Sequence, residues 1–129
     1  VQETIKRILV VDDEENARTA LSRILTRDGH QVAAAANGQQ ALEYLRDNDV
    51  DLIITDMNMP IMNGITFLRE LNRTLPASNV IMVTAYGEVE SYLEAMNLGA
   101  FEYINKPLKI DELNNVIAKI FNQPSPNKL

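Results

Sequence analysis

Four short apolar runs in this chain each end in a residue with chemistry to offer. Ile8, Leu9, Val10 and Val11 lead to Asp12 and Asp13, while Leu52, Ile53, Ile54 and Thr55 lead to Asp56. Val80 to Val83 lead to Thr84, and Phe101, Tyr103 and Ile104 precede Lys106 and Pro107. Runs this short and apolar read as buried parallel strands, whose carboxyl ends share the edge where open α/β sheets bind ligands. Three acids, a hydroxyl and an ammonium on that edge point to a metal ion and a phosphoryl group.

The chain of 129 residues, 46% hydrophobic, has the size and apolar content for one domain with helices on both faces of a sheet. A formal net charge of -6 argues against a broad grip on nucleic acid or anionic lipid. With no cysteine there is no disulfide framework and no thiolate chemistry, and a cytoplasmic location is the expectation. No signal-type segment is visible, and no apolar run approaches the roughly 18 residues of a membrane helix, so a soluble, unprocessed chain is expected.

Strand ends at Asp12, Ala36, Asp56, Thr84 and Lys106 are separated by 24, 20, 28 and 22 residues, each room for one helix and one strand. Five βα units are therefore expected. Ala17, Leu21, Ile24 and Leu25 share one helical face, as do Ala41, Leu42 and Leu45, and as do Phe67, Leu68 and Leu71. Asp28 with Gly29 should end the first helix, Asn37 with Gly38 should begin the loop into the second, and Gly99 should end the fourth. The last helix is expected to start near Asp111 as N-cap and to turn Leu113, Val116, Ile117 and Ile120 inward. The fold class is then α/β, a flavodoxin-like doubly wound sheet of five parallel strands in the order 2-1-3-4-5 with five helices. That order sets Asp12 and Asp13 beside Asp56 and brings Thr84 and Lys106 towards the same pocket.

Magnesium prefers hard oxygen ligands and keeps several waters, which suits two or three carboxylates at a strand edge. Asp13 and Asp56 are the expected direct ligands, with Asp12 beside them or acting through water. At about 4 Å and an effective dielectric near 20, each pair of carboxylates repels by roughly 4 kcal/mol, so a divalent cation or Lys106 must offset the crowding.

From about Ile5 to Phe121 the chain resembles the receiver domain of two-component response regulators. The likeness is carried by Ile8 to Asp13 with Glu14, by Asp56 with Met57, Asn58, Met59 and Pro60, by Gly64, by Thr84 with Ala85, and by Lys106 with Pro107. It implies a receiver domain over residues 1–123 with 124–129 as a tail or linker. It further implies that Asp56 is the phosphoacceptor, taking a phosphoryl group from the histidine of a kinase or phosphotransfer protein. Asp12, Asp13, Asp56 and the backbone carbonyl of Asn58 would hold Mg²⁺, while Lys106, Thr84 and the amides of Met57 and Ala85 would meet the phosphoryl oxygens. Thr84 and Tyr103 would act as the switch, altering the face of helix four, strand five and helix five, a surface that could also form a homodimer. Such a domain is a signalling phosphoacceptor and not an enzyme, and it does not itself bind nucleic acid or membrane. Asn58 and Tyr86 resemble positions that tune hydrolysis of the acyl phosphate. The run Ala85, Tyr86 and Gly87 and the stretch from Gly99 to Ile104 look most like receivers attached to transcriptional activators.

Three positions carry plainer readings. His30 precedes strand two, at the wrong end of the sheet, and reads as structural or surface. Met57, Met59 and Met62 read as loop packing. The bond before Pro107 is expected to be trans on sequence alone, although the family has a cis bond there. A rival class, the haloacid dehalogenase type of phosphohydrolase, also uses an aspartyl phosphate but wants a second Asp two residues beyond the nucleophile. Asn58 follows Asp56 at that spacing and Glu14 follows Asp12.

Overall fold

A computed structural model describes residues 6–75, 78–85 and 89–121. Its elements alternate as expected: β1 (Arg7–Val11), α1 (Glu15–Arg27), β2 (Gln31–Ala35), α2 (Gly38–Asp47), β3 (Leu52–Asp56), α3 (Gly64–Thr74), β4 (Val80–Thr84), α4 (Val89–Asn97), β5 (Glu102–Asn105) and α5 (Ile110–Phe121). The five strands form one parallel sheet in the order β2-β1-β3-β4-β5. The expected tail, residues 124–129, lies outside the described residues.

Strand periodicity divides the core in two. Leu9, Val11, Ile53 and Met82 face one layer with Ala41, Leu45, Phe67, Leu68, Leu71 and Ala95 of α2, α3 and α4. Ile8, Val10, Ile54, Ile81 and Val83 face the other with Leu25 of α1 and Leu113, Val116 and Ile117 of α5. Because both faces are covered, every residue of β3 and β4 is buried, which is why those runs read as unbroken apolar stretches. At the sheet's margin β2 is alanine-rich and only Ala35 is fully buried.

Two helices end as their glycines foretell. Gly29 at φ +98° lets its own amide reach the Thr26 carbonyl and the His30 amide reach the Leu25 carbonyl. Gly99 at φ +97° sets the same pair of bonds from Gly99 and Ala100 to Met96 and Ala95. Both are Schellman ends, in which a left-handed residue satisfies the last carbonyls.

Three local expectations are corrected. Asn37 does not begin a loop but caps α2, its side chain accepting from the Gln40 amide at 2.9 Å, and Gly38 is the first helical residue. Asp111 lies inside the first turn of α5, which starts at Ile110, so it favours the helix as a first-turn acid and not as the cap. The Lys106–Pro107 bond is cis, an isomer that a tertiary amide leaves within reach. The first, second and fifth strands also stop one residue short of the expected ends.

Candidate functional site

Register alone brings the acids together. Val11 of β1 lies opposite Thr55 of β3, so Asp12 and Asp56 leave the sheet side by side. One carboxylate oxygen from each of Asp12, Asp13 and Asp56 lies within 4.8 Å of the others. Asp12 and Asp56 are each 8% exposed, whereas Asp13 faces solvent. Across the sheet, the Lys106 amide donates to the Thr84 carbonyl at 2.7 Å, which ties the end of β5 to the end of β4. From there Lys106 Nζ reaches Asp12 Oδ2 at 3.3 Å and Asp56 Oδ2 at 3.6 Å.

Thr84 is fully buried at the end of β4, and Asn58 Nδ2 donates to its hydroxyl at 3.3 Å. The Asn58 amide points at Asp56 Oδ1 from 3.4 Å. The Met57 amide completes the ladder to the Val83 carbonyl at 3.0 Å while still favouring the charged form of Asp56. Tyr103 on β5 is half-buried and meets Tyr92 of α4 edge to face, with ring centroids 5.6 Å apart. Met57 and Met59 are buried and Met62 packs against the same core, as expected of loop packing. His30 sits at the opposite end of the sheet, before β2. Tyr86 lies outside the described residues.

The electrostatics are those of an acidic notch with too few cations. Burial pushes the Asp56 carboxyl up from its ordinary value and the Asp12 charge adds to this, while Lys106 and the backbone amides of Asn58 and Met57 offset only part. Burial opposes the charge of Lys106, yet Asp56 and Asp12 outweigh it and hold the ammonium above its ordinary value. Asp12 and Asp56 share the Lys106 ammonium, and the Asp13 carboxylate lies beside them. Hard oxygens at this spacing, with one member open to water, fit a magnesium ion that retains part of its hydration shell. Beside the acids lies a cleft of about 410 Å³, lined in part by Glu14, Ala17, Pro107 and Leu108.

Two supporting contacts were not legible as such. A Cβ on Gly64 would lie 2.7 Å from both the Asp56 carbonyl oxygen and Met57 Cα, so only glycine lets α3 start this close behind the acid. Sequence marks Gly64 as part of a motif without giving that reason. Arg18 Nη1 donates to the Asp12 carbonyl at 2.8 Å, bracing the β1 end from α1. The signal was a cation six residues after Asp12, which is too common to single out.

An open parallel sheet with an acidic notch and a lysine at its carboxyl edge defines a class, and comparison with known proteins gives that class its name. Residues 8–118 match the response regulator receiver domain. The chain belongs to that family. It is 42% identical over 112 residues to the transcriptional regulatory protein ZraR of Escherichia coli K12, covering 87% of this chain and 25% of the relative. It is 37% identical over 114 residues to sporulation initiation phosphotransferase F of Bacillus subtilis, covering 88% and 92%. The solved structure of the response regulator TrrA from Thermotoga maritima, in complex with Mg²⁺ and BeF, has a TM-score of 0.82 and 35% identity, covering 90% of this chain and 99% of that one. This chain spans about a quarter of the length of the transcriptional regulators it matches. Among the described residues no helix is long and apolar enough to cross a membrane.

Proposed function

We propose that this receiver domain accepts a phosphoryl group on Asp56 from the phosphohistidine of a kinase or phosphotransfer protein, in a reaction that needs Mg²⁺. The observation that carries the reading is the placing of Asp56 Oδ2 3.6 Å from Lys106 Nζ at the mouth of a cleft, with two more acids alongside. In the step itself, an Asp56 carboxylate oxygen forms a bond to phosphorus as the donor's N–P bond breaks, and the electron pair returns to the imidazole. A carboxylate needs no base for this. Charge spreads over the three equatorial oxygens, so the protein's task is positioning and electrostatic stabilisation. Lys106 pairs with one oxygen, and the Thr84 hydroxyl, with the Ala85 amide, donates to another. When bound by Asp12, Asp13, Asp56 and the carbonyl of Asn58, Mg²⁺ supplies the positive charge that the notch lacks.

The phosphoryl group then redirects Thr84 and Tyr103 and alters the face of α4, β5 and α5. That face controls an output domain or partner and serves as the surface for a homodimer. Moving such a switch from 1:99 to 99:1 takes about 5.5 kcal/mol, within reach of a dianion making several charge-assisted contacts. The unit assists its own modification and acts in the cytoplasm. It spans residues 1–123, with 124–129 as a tail or the start of a linker, and leaves nucleic-acid binding to other parts of its system. Phosphohydrolase chemistry is disfavoured by Asn58, which has no proton-transferring carboxyl at the position where such enzymes need one. Incubation with acetyl phosphate and Mg²⁺ should add one phosphoryl group to the wild-type mass and none to Asp56→Ala. An equal gain in both would refute the assignment.

A further inference from the structure

Outside the acidic notch the most distinctive surface is basic. On the face of α1 away from Ala17, Ala20 and Ile24, which line the cleft beside Asp56, an open groove of about 540 Å³ is lined by Ser22, Arg23, Thr26 and Arg27 and by Ala34 of β2. Among the described residues no acid lines it, although the chain carries a net charge of -6. Among the described residues neither Arg23 nor Arg27 makes an ion pair. Ser22 Oγ is buried there without a hydrogen-bond partner.

The floor of this groove ends in an unguarded sheet edge. Among the described residues β2 pairs only with β1. The Gln31 amide donates to the Lys6 carbonyl at 2.9 Å and the Ala35 carbonyl accepts from Asp12 at 3.1 Å, so residues 31, 33 and 35 bond inward. Val32 and Ala34 therefore turn their backbone groups towards the open edge. Edge strands are commonly blunted by charge, by proline or by a bulge, yet Gln31–Ala35 contains neither a charged residue nor a proline. The other edge, β5, carries Glu102 and is followed at once by Lys106 and Pro107.

We propose that the groove between α1 and β2 docks an extended acidic segment of a partner protein, which adds a strand to β2 and sets its carboxylates against Arg23 and Arg27. The spacing fits: four residues along a helix advance about 6 Å, and alternate side chains on a strand recur about every 6.6 Å. Acids at every second position thus meet both guanidinium groups, while backbone bonds to Val32 and Ala34 supply affinity. A second copy of this chain is a poor occupant, because antiparallel edge-to-edge pairing of β2 would set a second pair of these arginines on the same face of the sheet.

The test titrates a blocked seven-residue peptide of alternating threonine and glutamate into the whole chain at low salt, followed by backbone amide spectra. The Val32 and Ala34 amides should shift and gain protection from exchange. Arg23→Glu with Arg27→Glu, both exposed positions, should weaken binding by about tenfold or more. Ala34→Pro, which removes one outward amide from an edge where proline is tolerated, should abolish it with the circular dichroism of the fold retained. Unmoved β2 amides, undiminished binding by the charge-reversed variant, or competition at those amides by an oligothymidylate of equal charge would each overturn the proposal.

Discussion

The two ends of the sheet treat the same residue type in opposite ways. At the amino end Asp51, just before β3, accepts from the Arg7 backbone amide at 2.7 Å and from its guanidinium Nη2 at 3.3 Å, while its own amide donates to the Arg7 carbonyl at 2.7 Å. At the carboxyl end Asp56, closing the same strand, competes with Asp12 for one ammonium. Burial tends to raise both acids, but at Asp51 the Arg7 hydrogen bonds and charge outweigh it and the net shift is downward. At Asp56 burial and Asp12 prevail and the net shift is upward. One end is built to hold the sheet, and the other keeps unfavourable charge gathered at one edge, the charge that the proposed chemistry draws on.

The sharpest separation is in phosphoryl uptake. Asp56→Asn should lose it entirely under acetyl phosphate, whereas Asp51→Asn should keep it within about twofold, since Asp51 touches no reacting atom. Comparable losses in the two variants would erase the distinction. Next in size is Gly64→Ala, which forces a methyl group against backbone at the carboxyl end and should cost about 1–3 kcal/mol in urea denaturation. A neutral result there would mean that the loop behind Asp56 yields freely.

Smaller effects should differ in sign. With chelator present at pH 7, Asp51→Ala should lose about 1 kcal/mol through the hydrogen bond its carboxylate accepts from the Arg7 backbone amide, and Asp56→Asn should gain somewhat less than that by relieving buried charge. Two losses of similar size would contradict the contrast. The pH dependence is the smallest and comes from linkage. Because the folded pKa of Asp51 is depressed, its contribution is present above the unfolded value and lost as pH falls through the folded one. For Asp56, raised on folding, the relative advantage exists below the unfolded value and disappears as pH rises through the folded one. Denaturation midpoints of the wild type and the two asparagine variants, measured from pH 3 to 7, should therefore diverge from the wild type in opposite directions as pH rises.

Much of the carboxyl end was legible because apolar runs announce buried strands, and the residues that close those runs must gather at one edge of the sheet. Asp12, Asp56, Thr84 and Lys106 fall where that logic puts them, and the spacing of about one helix and one strand per unit supports the observed order. The amino end was not legible. Arg7 and Asp51 lie 44 residues apart, and nothing local to either one announces that β1 and β3 begin in register. Gly64 could be marked but not explained, since its value lies in a 2.7 Å approach between segments. Asn37 could have been read as a cap, for Asn followed three places later by Gln40 is a helix-start pattern in which the pull of Asn-Gly towards a turn won. The start of α5 shifted for a related reason: Asp111 has the chemistry of a cap but sits two residues past the cap position at Lys109.

The proposed chemistry turns on which carboxyl group carries the phosphoryl group. Treating the acetyl phosphate-labelled chain with borohydride reduces an aspartyl phosphate to homoserine, which peptide mass spectrometry locates. Homoserine at position 56 alone is the expected result, and homoserine at position 12 or 13, with Asp56 intact, would contradict it.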